Sequence, residues 1–507
     1  MFALLVLCTL SCSGVSASKI LGISLTPSYS HQIVFQPLWR ELSLRGHQVT
    51  TITPNPINDL KLINLTEIDL GFVRLSNLEV KGLMRQSTFL HEIYLMYTFM
   101  ATMMDKQLEY PPVKQLLNDR SARFDLVIVE YLWTAPLAFA KRFDCPYIGV
   151  LSTDGVNSNH RKIGNPAHSS LYPDLFLSYG DKLSIFERVV SFVYELFYEV
   201  YFEGVLHELE QKVVHKHFGD HYPSVAEMAR NVSMLFVNSD PIFHHNRPLV
   251  PGVVQIGGSH YPKEPVDLPP ELHPLDDAEF IYFSLGSNVK SEFLKPQTID
   301  MMLEVFGELP YLVLWKFEED LPNKPSNVII SRWLPQREVL AHPNIKLFIT
   351  QGGLQSMDEA IHARVPMLGI PIFFDQPFNV KKMVNRGFGL ELDHRTLEKS
   401  VFKETILEVI QNPRYRNVLR ELADLAEDQP MTGIEKAVWW SEYVIRHKGA
   451  RHLRSPLLDV AWYQYLLLDV FAVLLVGFFV VIYLIVTVCR LVFKSLKSVT
   501  EHKRKND

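Results

Sequence analysis

Cysteine is scarce in this chain, with four among 507 residues, and their positions leave little to pair. Cys8 and Cys12 sit in an apolar leader, Cys489 in a second apolar run, and Cys145 alone in the body of the chain. An internal disulfide in that body is excluded, so a domain of this size must rest on its core. An excess of one charge is also missing: 50 Lys and Arg face 56 Asp and Glu, a net −6. No global field favours a polyanion, and nucleic acid is not an expected partner. With 47% apolar and 21% charged residues the composition is that of a folded protein. Absent too are Gly-x-Gly-x-x-Gly after the first strand, a Walker loop, His-Glu-x-x-His, Gly-x-Ser-x-Gly and Cys-x-x-Cys. Hydride transfer, NTP hydrolysis and zinc chemistry lose their usual warrants. His244-His245 lacks matching ligands nearby and reads as surface histidines, so no metal is expected.

Long apolar runs occur twice. Phe2 to Leu10 is followed by small residues with Val15-Ser16-Ala17 as a cleavage pattern, which reads as a signal peptide over residues 1–17 although a basic n-region is missing. Val470 to Cys489 carries no formal charge over twenty residues, and at about 1.5 Å per residue it spans about 30 Å, one hydrocarbon core. Asp469 precedes this run, and Arg490, Lys494, Lys497, Lys503, Arg504 and Lys505 follow it. The positive-inside rule then puts the tail, 490–507, in the cytosol and the body in the lumen, as a single-pass type I protein. The Lys503-Arg504-Lys505 ending resembles a dibasic endoplasmic-reticulum retrieval signal, and equally a basic anchor for anionic lipid. Asn64-Leu65-Thr66 and Asn231-Val232-Ser233 are glycosylation sequons at Asn64 and Asn231.

Between the ends, two halves share one grammar. Ile20 to Leu25 is a buried-strand run, Val34, Phe35, Leu38, Trp39 and Leu42 fall at helical spacing, and His47 to Thr53 is β-branched. Strands follow at Phe124–Val129 and Tyr147–Leu151. Tyr261 to Pro274 carries five prolines and suits a linker. The second half repeats the pattern, with strands at Phe280–Leu285, Leu312–Trp315 and Ile345–Thr350, a tight Gly286-Ser287-Asn288 loop, and a helix over about Gln355–Ala363. The expected organisation is an α/β chain with an N-terminal domain 18–260, a linker 261–276, a C-terminal domain 277–455 with closing helices, and a membrane helix 470–489. Parallel sheets of this kind bind ligands beyond the carboxyl ends of their strands, here in a cleft between the halves.

The most informative stretch runs from Trp333 to Asn379. A strand ending at Thr350, the pair Gly352-Gly353 and the following helix present free backbone N–H groups and a positive dipole end, which suits an anion. Ser356 adds a hydroxyl donor, Trp333 a flat face for a base, Glu359 an acceptor for a ribose diol, and Asp375-Gln376 partners for sugar hydroxyls. Together they suit a nucleotide diphosphate-sugar.

The forty-four residues from Trp333 to Gln376 resemble the signature of the UDP-glycosyltransferases. Thr350-Gln351-Gly352-Gly353-Leu354-Gln355-Ser356 is similar to the insect branch and to baculoviral ecdysteroid glucosyltransferases. The resemblance extends to Phe283-Ser284-Leu285-Gly286-Ser287, Arg247-Pro248-Leu249-Val250-Pro251, the membrane helix and the basic tail. It implies a GT-B fold, two Rossmann-like doubly wound domains facing across a cleft, with the UDP-sugar in the C-terminal one and the acceptor in the N-terminal one. By position it implies that Trp333 stacks on uracil, that Gln336 and Glu359 hold uridine, and that Ser284, Gly353 and Ser356 contact phosphate. Asp375 and Gln376 would contact the sugar, with Asn379 in the same donor-binding set. Gln351 stands where most of the family has His, so its contact is a neutral amide. Ala363-Arg364 replaces a usual glycine.

The catalytic base is expected at His31, at the mouth of the first strand and the start of the first helix, where the resemblance places a His and where the helix dipole keeps imidazole neutral. Glu130, closing Phe124–Val129 where the family usually has Asp, is the expected partner. The implied activity is inverting, metal-independent transfer of a hexose, most simply glucose, to small lipophilic hydroxylated acceptors, phenolics, steroids or xenobiotics, as in detoxification. Met84–Met104 and Phe186–Phe202 are candidate acceptor stretches, or simply core. A homo-oligomer is compatible with the sequence. The rival reading is a catalytically idle UDP-sugar-binding or interaction protein of the same fold.

Overall fold

The computed structural model describes residues 17–73, 89–180, 182–244, 246–258, 268–287 and 294–506. The leader with Cys8 and Cys12, Met84, His245, Asn288 and the first part of the linker lie outside the described residues. Residues up to Arg454 form one compact unit and Ser455 onward a second.

The first unit is built on two parallel sheets. In the first, β1 (Lys19–Ile23), β2 (Gln48–Thr53), β3 (Leu65–Asp69), β4 (Leu126–Glu130), β5 (Tyr147–Leu151), β6 (Met234–Val237) and β7 (Val253–Gln255) lie in the order β3-β2-β1-β4-β5-β6-β7. In the second, β8 (Phe280–Ser284), β9 (Leu312–Lys316), β10 (Val328–Ser331), β11 (Ile345–Thr350), β12 (Met367–Gly369) and β13 (Gly389–Glu391) lie in the order β10-β9-β8-β11-β12-β13. Sequence order reverses between β1 and β4 in one sheet and between β8 and β11 in the other, each pair parallel. Crevices open at such reversals, so the fold offers two sites at its strand ends.

Central strands read as unbroken apolar runs because both faces are covered. Along β4, Val127 and Val129 enter one core and Leu126 and Ile128 the other. Phe280 and Tyr282 of β8 likewise part from Ile281 and Phe283. The chain finally returns to the first sheet: helix Gly433–Arg446 packs Ala437, Val438 and Val444 with Ile20, Val34 and Trp39. Its buried Glu442 accepts from Arg45 Nε at 2.7 Å.

Three expectations are corrected, and the helix end at Arg364 takes a defined form. Leu272 and Leu275, in the short helix Pro270–Leu275, are buried in the second core, so that part of the expected linker belongs to the domain. His244 is not a surface residue: it is buried, its Nδ1 accepts from the Asp240 N–H at 2.7 Å, and its Nε2 lies 3.1 Å from Asp358. Helix Ile185–Phe197 turns Phe186, Val189, Phe192, Val193 and Leu196 outward, so most of the Phe186–Phe202 stretch is exposed. Arg364, in place of the usual glycine, adopts φ +58° and is held by Asp424 at 2.7 Å and Glu427 at 3.0 Å.

The second unit holds the helix Leu468–Asn506, of which Leu468–Thr500 is long and apolar enough to cross a membrane. The helix does not end at Cys489, because Leu491, Val492, Phe493, Leu496 and Val499 continue the apolar pattern and neither Pro nor Gly occurs between Cys489 and Asn506. Asn231 is exposed, whereas Asn64 is half-buried and donates its amide to the Ser43 carbonyl at 3.2 Å.

Candidate active site

One cavity of about 1140 Å³ is lined by both halves and receives the strand ends of both reversals. From the first half come His31, Thr26 and Trp133, and from the second Ser284, Trp333, Gln336, Gln351, Gly353, Ser356, Glu359, Asp375 and Gln376.

His31 stands in the first turn of helix Tyr29–Leu44. Its Nδ1 lies 3.1 Å from Glu130 Oε1 and 2.8 Å from Ser152 Oγ. Glu130 ends β4 almost fully buried, and its other oxygen accepts the Thr26 N–H at 3.0 Å. A carboxylate only accepts, so the imidazole proton belongs on Nδ1 and the lone pair on Nε2. The loop before His31 is fastened from behind. Buried Gln32 donates to the Thr26 carbonyl at 2.8 Å and accepts from Ser24 and Thr53, Trp133 Nε1 donates to Thr26 Oγ1 at 2.8 Å, and Gln107 donates to the Leu25 carbonyl. Such a network fixes the position of the ring that it supports.

Opposite, Gln336 ties the loop after β10 to helix Leu354–His362. Its Nε2 donates to Ser356 Oγ at 2.9 Å and Glu359 Oε2 at 2.7 Å, while its Oε1 accepts from Tyr282 at 3.1 Å. Ser356 therefore keeps its hydroxyl proton for a ligand. Burial pushes the Glu359 carboxyl up to about 7, against the opposing bond from Gln336. Gln351 Oε1 accepts from Thr350 Oγ1 at 3.1 Å, which leaves Nε2 as the free donor. That amide occupies the space a β-carbon on Gly286 would need, and Gly286 also has φ +79°, so both space and backbone select glycine there. Gly353 caps helix Leu354–His362 with no side chain over its first N–H groups. Trp333 is 55% exposed and meets Tyr29 of the first half edge-on at 5.0 Å.

Asp375 accepts from Asn379 Nδ2 at 2.8 Å, and Gln376 Oε1 is taken by the Ile372 and Phe373 N–H groups, so Gln376 offers only its Nε2. Burial raises the Asp375 carboxyl, and His31 across the cleft is near enough to oppose that shift. Asn379 does not line the cavity; it stands behind the wall, joining Asp375 to the Gly352 carbonyl at 3.0 Å. The first-half wall is apolar, with Met96, Tyr97, Phe99 and Met100 from helix Phe89–Glu109 and Leu175 and Phe176 beyond. Ser152 and Tyr29 were not expected from sequence. Ser152 was findable, since it follows β5 at the same sheet edge as Glu130.

Residues 18–505 match the family model described as UDP-glucoronosyl and UDP-glucosyl transferase. The chain belongs to the UDP-glycosyltransferases. Among relatives of this UDP-glycosyltransferase, UDP-glycosyltransferase UGT5 of Dactylopius coccus is 35% identical over 96% of both chains. The ecdysteroid UDP-glucosyltransferase of Spodoptera littoralis nuclear polyhedrosis virus is 35% identical over 92% of this chain and 95% of its own. The solved glycosyltransferase VinC, in complex with DTDP, superposes with a TM-score of 0.58 at 16% identity, covering 85% of this chain and 100% of that one. The two parallel-sheet domains of this UDP-glycosyltransferase are thus a GT-B fold, as the motif resemblance implied.

Proposed function

We propose that this UDP-glycosyltransferase transfers glucose from UDP-glucose, with inversion, to a hydroxyl of a small lipophilic acceptor. The observation that carries the reading is the shared cavity, in which His31, backed by the buried Glu130, faces the Trp333-to-Gln376 wall. In this reading uracil stacks on Trp333, the ribose diol meets Glu359 where Gln336 holds it, and the diphosphate lies against Ser284, Gln351, Gly353 and Ser356. Asp375 and Gln376 hold the sugar. His31 Nε2 takes the acceptor proton, the acceptor oxygen attacks the anomeric carbon, and the bond to UDP breaks. Glu130 balances the imidazolium, and the N–H groups above Gly353 take the charge on departing UDP, so the step calls for no metal. The apolar wall from Met96 to Met100 supports a lipophilic acceptor, phenolic, steroid or xenobiotic, and the viral relative's name supports glucose. The apolar helix and the basic residues after it support a lumenal body anchored in the endoplasmic-reticulum membrane, with Asn231 the better placed glycosylation site.

The test is a matrix of UDP-glucose, UDP-galactose and UDP-glucuronic acid against phenols and steroids. UDP-glucose should give the fastest transfer, and UDP binding without transfer to any acceptor would favour an idle sugar-nucleotide-binding protein.

A pH effect follows from Glu359. Its carboxyl titrates near 7 in the free protein, and a diol donates better to the ionised form. Donor binding should therefore release a proton, so affinity rises as pH climbs through about 7 and levels off above it. The dissociation constant of UDP-glucose, whose phosphates do not titrate in this range, should fall roughly fivefold to tenfold between pH 6 and 8. Glu359→Gln should flatten that dependence, and an equally steep curve in the variant would remove the assignment.

A further inference from the structure

Helix Gly433–Arg446 keeps Ala437, Val438 and Val444 in the core of the first sheet and turns another face to solvent. Trp439 is 44% exposed on that face. Tyr443, one turn on, stacks against it with ring centroids 5.4 Å apart, and the Arg446 guanidinium lies over the same indole at 5.7 Å. Two histidines close the cluster: the His447 ring is 4.4 Å from that of Tyr443, and His452 Nε2 is 2.5 Å from the Tyr443 hydroxyl. The chain then turns through Lys448 and Gly449, both with positive φ, and from Arg446 to Leu458 it carries no acidic residue. Arg446, His447, Lys448, Arg451 and His452 are all exposed. Among the described residues Lys448 and Arg451 form no ion pair, and Arg446 reaches only Glu442 at 3.7 Å, a carboxylate that Arg45 already holds through Nε and Nη2. One surface patch thus joins an aromatic ledge to uncompensated positive charge.

We propose that this face docks on an anionic phospholipid surface, that of the bilayer in which the chain is anchored. The inference goes beyond the transfer reaction and rests on the apolar helix being a membrane anchor. Two features select lipid as the occupant. The first is charge, because a patch of cations sharing one carboxylate matches a layer of phosphates, whereas a second copy paired about a twofold axis would set the same cations against each other. The second is the tether. Leu468, where the apolar helix begins, follows Arg454 by fourteen residues, and a linker of that length holds its ends at an effective concentration on the order of millimolar. A contact too weak to form between free partners forms under that condition. An exposed indole settles at headgroup depth, where its apolar face and its N–H are both served. Each Lys or Arg beside an anionic leaflet adds on the order of fivefold in binding. Docking holds the body at a second point besides the helix.

The experiment places the full-length protein, one copy per disc, in lipid nanodiscs of phosphatidylcholine alone or of phosphatidylcholine with phosphatidylserine, and reads hydrogen–deuterium exchange of the peptide from Tyr443 to Arg454. The expected result is exchange slowed about tenfold from His447 to Ala450 in the phosphatidylserine discs, with the difference shrinking as salt is raised. The variant carrying Lys448→Gln and Arg451→Gln should lose most of that difference, and parental turnover in detergent would show its body intact. Should that variant lose turnover in detergent, the salt dependence of the parent decides. Equal exchange in the two lipids, a difference indifferent to salt, or one that the folded variant keeps in full would overturn the proposal. Protection by inorganic phosphate in phosphatidylcholine discs would mark a site for small anions, and protection confined to discs with two copies a self-association surface, and either result overturns lipid docking. Failure of the parent to enter the discs would show instead that the anchor reading is wrong.

Discussion

Replacing His31 by Ala should lower turnover by about 10²–10⁴-fold while UDP-glucose still binds with parental affinity. The asymmetry follows from where the parts sit. The base is carried by the first sheet's reversal, on a loop fastened by Gln32, Trp133 and Gln107, and the proposed nucleotide contacts all come from the second sheet. The loss should shrink for acceptors whose hydroxyl is already acidic. Glu130→Gln should act on the same step: an amide can still accept from Nδ1 but gives no counter-charge to the imidazolium. Combined with His31→Ala it should add little, since the two side chains work as one unit 3.1 Å apart. Parental turnover in His31→Ala with a weakly acidic alcohol would place the base elsewhere.

Trp333→Ala should raise the donor KM by roughly fivefold to hundredfold with a smaller change in kcat, the range that corresponds to about 1–3 kcal/mol for a base stacked on an aromatic ring. The indole is more than half exposed, so its removal costs the core nothing and the effect belongs to the ligand. Tyr29 touches the same ring edge-on at 5.0 Å from the other half. An unchanged donor KM, measured at saturating acceptor, would remove Trp333 from the nucleotide site.

Much of this arrangement was legible in the residues. Tyr147–Leu151 and Ile345–Thr350 appear as strands with the bounds expected, because buried parallel strands are short β-branched and apolar runs bounded by polar or turn residues. His31 and Glu130 stand out by their place at strand ends together with the family resemblance, and the fold brings them within 3.1 Å. Local pattern failed where a partner distant in sequence decides the outcome. His244 looks like a surface residue until Asp358 meets it, and Gln355 looks like one polar residue among several until Ser152 is seen beside it. Asn379 shares the Asp375-Gln376 loop by sequence, but one turn of helix carries it behind the cavity wall. The proline-rich stretch concealed Leu272 and Leu275, since composition averages over a segment and burial acts on single side chains.

The most direct measurement is proton NMR of the glycoside formed from UDP-glucose and 2-naphthol by the full-length protein, with UDP quantified in the same tube. A base on one face of the sugar and a leaving diphosphate on the other predict the β-glucoside, one UDP released per glycoside, from the α-linked donor. An α-glucoside, or UDP-glucose bound with no glycoside formed across the acceptor panel, would contradict the base-assisted displacement proposed for this cleft.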